Sequence, residues 1–155
     1  MNMNKIILPI AAASLISLST VATAADFSAN ANVEIVTAVS ISEDTQIDFG
    51  ILTNEDGTCT MASGGALTGS NGQSCTGTET PAAFTVDGTD GKVVDLSVTA
   101  GSAVDGVTYT PVIDGASTAT LTGGSATVAV IGNLVLASAT DGDKDIAYTF
   151  TANYQ

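Results

Sequence analysis

The chain has 155 residues, 45% hydrophobic and 12% charged, with three basic residues against sixteen acidic ones and a net charge of −13. That length bounds one domain, and the charge balance excludes nucleic-acid binding, which needs a basic footprint. There is no histidine, so neither a Ser-His-Asp nor a Cys-His nucleophile can be assembled.

Residues 1–24 have the layout of a secretory signal peptide. Lys5 supplies the positive start, Ile6 to Val21 the apolar run, and Ala22-Thr23-Ala24 an A-x-A cleavage site. The alternative is an N-terminal membrane anchor. Pro9, the interspersed Ser and Thr and the short run count against it, since a span needs roughly 20 apolar residues. Cleavage after Ala24, or after Ala25, removes Lys5 and leaves Lys92 and Lys144 against sixteen acidic residues, a balance of −14. An acidic surface keeps the protein soluble, is repelled by anionic membranes and draws a basic partner.

The exported chain opens on strict alternation. Phe27, Ala29, Ala31, Val33 and Ile35 are apolar, and Asp26, Ser28, Asn30, Asn32 and Glu34 are polar. This period of two predicts a strand with one buried face. The phase continues through Val39 and Ile41, so one long strand or two strands sharing a bend both fit. The segment pairs either inside its own domain or with a neighbour. A turn is predicted at Glu43-Asp44-Thr45. A further strand is predicted over 46–52, with Ile47, Phe49 and Ile51 on one face and a bulge or close packing at Gly50.

Residues 53–81 are dense in Gly, Ser, Thr and Asn, a composition that predicts a loop or short, weak hairpins, either a solvent-facing excursion, the preferred reading, or a binding surface. Such a length without structure is unusual in a compact domain. Cys59 and Cys75, the only cysteines, lie within it. A pair in an exported chain predicts a disulfide, worth about 3 kcal/mol for a loop of this size. A structural zinc would need two further ligands.

Short strands then recur at the spacing of an all-β sandwich. Ala82–Asp87 puts Phe84 and Val86 on one face, and Gly88 and Gly91 turn the chain. Lys92–Thr99 buries Val94, Leu96 and Val98. Val107–Ile113 buries Val107, Tyr109 and Ile113, with Pro111 marking an edge or bulge. Thr118–Thr122, Ala126–Ile131 and Asn133–Ser138 follow, the last two separated by Gly132. No segment has a sustained helical period.

The final stretch is the most regular. Ile146, Tyr148, Phe150, Ala152 and Tyr154 alternate with Ala147, Thr149, Thr151, Asn153 and Gln155. This predicts a strand over 146–154 with one buried face, and one at a sheet edge needs a partner for its outer backbone. The acidic residues fall in turns or on polar strand phases, so no carboxylate pair for glycoside hydrolysis is placed, and no enzyme activity and no cofactor are predicted. Asp141-x-Asp143-x-Asp145 has the spacing that opens a calcium loop, but Ile146 and Ala152 stand where that pattern needs Gly and Glu. It reads as an acidic turn, and no metal site is predicted.

Several motifs together resemble a known family. Gly142, the alternating C-terminal residues and the penultimate Tyr154 resemble the C-terminal motif of chaperone–usher pilins. Ile47-Asp48-Phe49-Gly50, Ala83–Gly88 and Ile131-Gly132-Asn133-Leu134-x-Leu136 resemble a group of bacterial exported, fimbria-like domains of poorly defined function. In one respect the chain departs from familiar pilins, which often join early strands by a disulfide, whereas Cys59 and Cys75 bracket a Gly-rich insertion.

The resemblance implies an incomplete immunoglobulin-like β-sandwich over 38–155, completed by a donor strand, with 25–37 as a donor extension. Phe27, Ala29, Ala31, Val33 and Ile35 would be the donor residues. Gly142, Ile146, Tyr148, Phe150, Ala152 and Tyr154 would line the acceptor groove and bind a periplasmic chaperone. An outer-membrane usher would exchange that chaperone for the next copy of the subunit. The implied setting is a surface fimbrium of a Gram-negative bacterium, serving adhesion or biofilm formation. Inserting Phe27, Val33 and Ile35 would return roughly 5–9 kcal/mol. The other readings are a self-contained secreted adhesin or ligand-binding sandwich that includes its own strand 26–41, and a calcium-stabilised matrix protein.

Overall fold

The computed structural model describes residues 25–155, so the predicted signal peptide lies outside the described residues. Residues 34–155 form one compact unit, and 25–33 belong to another. The larger unit is all β. Its strands are β1 Ser40–Thr45, β2 Gly57–Met61, β3 Leu67–Ser70, β4 Ala82–Asp87, β5 Val93–Ala100, β6 Val107–Ile113, β7 Thr118–Thr120, β8 Ser125–Leu136 and β9 Tyr148–Tyr154.

Every strand pairing is antiparallel, and β8 is the spine of the larger sheet. One edge of β8 carries β4 along Ser125–Val130 and then β2 along Gly132–Leu136. Its opposite edge carries β6. β1 lies outside β4, and β3 outside β2. The second sheet runs β7-β5-β9. The alternation written into the strands decides which faces meet. Val86 from β4, Val94 and Leu96 from β5, Val128 from β8 and Ala152 from β9 close one core cluster, with Leu121 beside them. Ala82, Phe84 and Val130 close a second. Each buried Val or Leu contributes about 1.5–3 kcal/mol. Pro111 sits on β6, an edge strand, where its missing N–H costs no ladder bond.

Four local expectations change. The turn expected at 43–45 lies inside β1. The strand expected over 46–52 reduces to a single bridge, Asp48 to Thr80. There the chain folds on itself: the Gly50 N–H donates to Asp48 Oδ1 at 2.7 Å, and Ile51 is fully exposed. Gly132 does not break its strand. β8 runs straight through it, and Gly132 marks where β8 changes neighbour from β4 to β2.

The expected excursion 53–81 instead delivers a central strand. β2 pairs with both β8 and β3, and its Cys59 and Met61 are fully buried. The Cys59–Cys75 disulfide is present, with the two Cα atoms 5.9 Å apart. Gln73, buried nearby, holds the rest of the loop. Its amide donates to the carbonyls of Thr53 and Glu55, and its Oε1 accepts from the Thr53 hydroxyl and the Ser74 N–H. A buried amide that satisfies loop backbone does the work of a missing ladder.

Candidate functional site

β9 is hydrogen-bonded on one side only. Gln155 N–H donates to the Val93 carbonyl, so the odd positions of β9 face β5 in the ladder. The other edge of β5 is taken by 117–121, through Leu96 N–H to Ser117 and Leu121 N–H to Lys92. By the antiparallel pattern, the backbone groups of Tyr148, Phe150, Ala152 and Tyr154 point away from β5. Among the described residues no strand pairs with that edge. It is about 20 Å long. Two of the expected acceptor residues, Gly142 and Ile146, precede β9 rather than lying in it.

The inward face of β9 is aromatic. Phe150 stacks flat on Phe84 of β4, ring centroids 4.5 Å apart. Tyr148 meets Phe84 and Tyr109 edge-on, and Phe49 meets Tyr109 the same way. β4 therefore lies over β9. β1 is one strand farther out, so its core-phase residues overlook the space beyond the open edge of β9. Those residues are Ile41, opposite Val86, and Glu43, opposite Phe84. Ile41 is 42% exposed despite pointing with the core phase.

The hydroxyls here are unevenly served. Tyr109 donates to the Ile131 carbonyl at 2.8 Å. The Tyr148 hydroxyl is buried with no hydrogen-bond partner among the described residues. Burial, and then the nearby Glu43 carboxylate, push its pKa up to about 12. Burial, and then Tyr148, push Tyr109 further up.

At the Tyr148 end the open edge runs into a cleft of about 700 Å³, between 43–54 and 139–148. Ile47, Phe49, Leu134 and Ile146 give it an apolar lining, which Gly142 joins. The acidic turn beside it is internally tied. Asp141 accepts from Asn54, and Lys144 bonds the Asp141 carbonyl and pairs with Asp105. Among the described residues no three acidic or sulfur side chains converge on a metal position.

The five expected donor residues lie outside any strand, and all are exposed. Phe27 is 91% exposed, Val33 83% and Ile35 89%. The first strand begins only at Ser40. No protein-family model, no curated protein and no solved structure matches this chain.

At the far end of β9 the structure adds partners that sequence reasoning missed. The Tyr154 hydroxyl accepts from Thr89 N–H and donates to the Thr37 carbonyl, both at 2.7 Å. Thr37 N–H in turn donates to Thr89 Oγ1, and Lys92 pairs with Glu34 at 2.6 Å. Gly88 permits this, because a Cβ there would strike the Tyr154 hydroxyl. The sequence signal was Gly88 at the end of Ala-Phe-Thr-Val-x-Gly, though nothing in that motif points to Tyr154.

Proposed function

We propose that this chain is the structural subunit of a surface fimbrium, polymerised by donor-strand exchange between copies. One observation carries the reading: among the described residues β9 has an unpaired edge, and β1, whose Glu43 lies near Tyr148, leaves its inward residues exposed. The residues that would fill such a place are the alternating apolar positions 27–35, which are exposed and unpaired in any sheet. An extended segment of that length reaches about 30 Å, enough to follow the 20 Å edge and continue into the cleft. Its backbone would meet the free groups of Tyr148, Phe150, Ala152 and Tyr154, which is strand addition to a sheet edge. An incoming carbonyl beside Tyr148 would also give its hydroxyl an acceptor.

The reading implies three partners: neighbouring copies, a periplasmic chaperone that covers the edge before assembly, and an outer-membrane usher. It also implies export to the cell surface and a part in adhesion or biofilm formation. The cysteine pair, joined as a disulfide, accords with an oxidising compartment.

The test is direct. A variant lacking residues 27–35 is titrated with a synthetic peptide of residues 26–36, and amide hydrogen exchange is followed. The reading expects saturable binding with new protection at Tyr148, Phe150 and Ala152. A Val33→Asp peptide should bind at least about tenfold more weakly, because it would bury a charge. Protection that never appears on β9 would refute it.

A further inference from the structure

Over β3, β2, β8 and β6 the outer face of the larger sheet carries no charge; its acidic residues, Asp44 and Asp87, lie at the other end, on β1 and β4. The register of β3, β2, β8 and β6 aligns Ser70, Thr58, Val135 and Thr108 in one row across the four strands. A second row aligns Thr68, Thr60, Asn133 and Thr110. Beyond it Ile131 stands opposite Val112. All point away from the core, where Cys59, Met61, Tyr109 and Leu136 occupy the alternate positions. Val112 is 45% exposed and Val135 39%.

We propose that this face is where two copies of the chain meet side by side. Charge favours it over the outer face of the smaller sheet, which carries the exposed Asp95, and over the β1–β4 end of its own sheet. The chain carries sixteen acidic residues, and the two described lysines already pair with Glu34 and Asp105 of the same chain. A contact centred on Asp95, or on Asp44 and Asp87, would set acid against acid with both described lysines already paired. On this face two copies bring together only hydroxyls, amides and methyls. β-branched side chains are stiff about χ1, so little rotamer freedom is lost when they pack. The face spans four strands and three rows, about 300–400 Å². That is below the roughly 800 Å² per partner of a stable dimer, so the contact is weak alone. Repeated along a filament it would add up. A saccharide is a poorer occupant, because the face offers no aromatic ring and the tyrosines are turned to the core or to the end of β9. Its weight along a filament rests on the proposed function, but the contact uses neither β9 nor residues 27–35, so its test is separate from that of strand exchange.

The experiment is a dilution series of the purified protein followed by backbone amide shifts, at low and high salt. Concentration-dependent shifts should centre on Thr58, Thr60, Thr110 and Val135. Added salt should strengthen the association, because it screens repulsion between acidic copies without breaking any ion pair. Thr60→Glu should weaken it at least about tenfold. Thr99→Glu adds the same charge on the exposed face of β5 and should leave it within about twofold. Shifts centred elsewhere, none at millimolar concentration, weakening by salt, or equal loss in both variants would overturn the proposal. The wild-type shift map decides the matter even if Thr60→Glu fails to fold.

Discussion

Two tyrosine hydroxyls mark the ends of β9, and they are served in opposite ways. Tyr154 accepts one backbone hydrogen bond and donates another. Tyr154→Phe should therefore destabilise the domain by about 1–2 kcal/mol, read as a lower urea midpoint at unchanged slope. Tyr148 has no partner among the described residues, so Tyr148→Phe should be neutral or stabilising. The pH dependence follows from the same hydroxyl. Its folded pKa, about 12, lies above the ordinary tyrosine value of 10. The folded state thus keeps a proton that the unfolded chain releases. Stability from this source is complete below pH 10 and is lost as pH rises toward 12. Melting temperatures measured from pH 9 to 12 should fall, and fall less steeply in Tyr148→Phe. An equal fall in both proteins would remove Tyr148 as a cause.

At the scale of elements, β8 and the hairpin β2–β3 hold the larger sheet. Gly132 takes φ +153°, and a Cβ there would strike the Thr110 carbonyl oxygen. Gly132→Ala should cost several kcal/mol, because it strains β8 where β2 and β6 both attach. Reducing Cys59–Cys75 should cost about 3 kcal/mol, read as a lower melting temperature under reductant. The strands from β4 onward were legible in the sequence, β8 only as two pieces split at Gly132, because their alternation coincides with burial. Phe84 and Val86, or Val94 and Leu96, face the core as the period of two requires. Residues 46–52 have the same period and fail as a strand, because alternation names a face but supplies no neighbour for the backbone. β2 failed in the other direction. Gly-Thr-Cys-Thr-Met reads as loop by composition, and only pairing on both edges makes it a central strand. The apolar face of β9 was legible too, whereas the hydrogen bonds of Tyr154 were not, since they join residues 65 and 117 positions apart.

On the scale of the whole molecule, a domain with an open edge accompanies a segment of alternating apolar residues that is exposed. Phe27, Val33 and Ile35 are exposed and the Glu34–Lys92 pair is a solvent-exposed one of little worth, so deleting 27–35 should leave the melting temperature of the sandwich within a few degrees while abolishing polymer. Strand-exchanged assemblies bury a whole strand per joint, so they separate only when the domain itself unfolds. Electrophoresis in SDS, with and without boiling, is the most direct test of the central claim. The account predicts a ladder of multiples in unboiled protein that collapses to monomer on boiling and is missing from the variant lacking 27–35. Monomer alone in unboiled wild-type protein recovered from the producing cells, or a ladder that persists in the deletion variant, would contradict it.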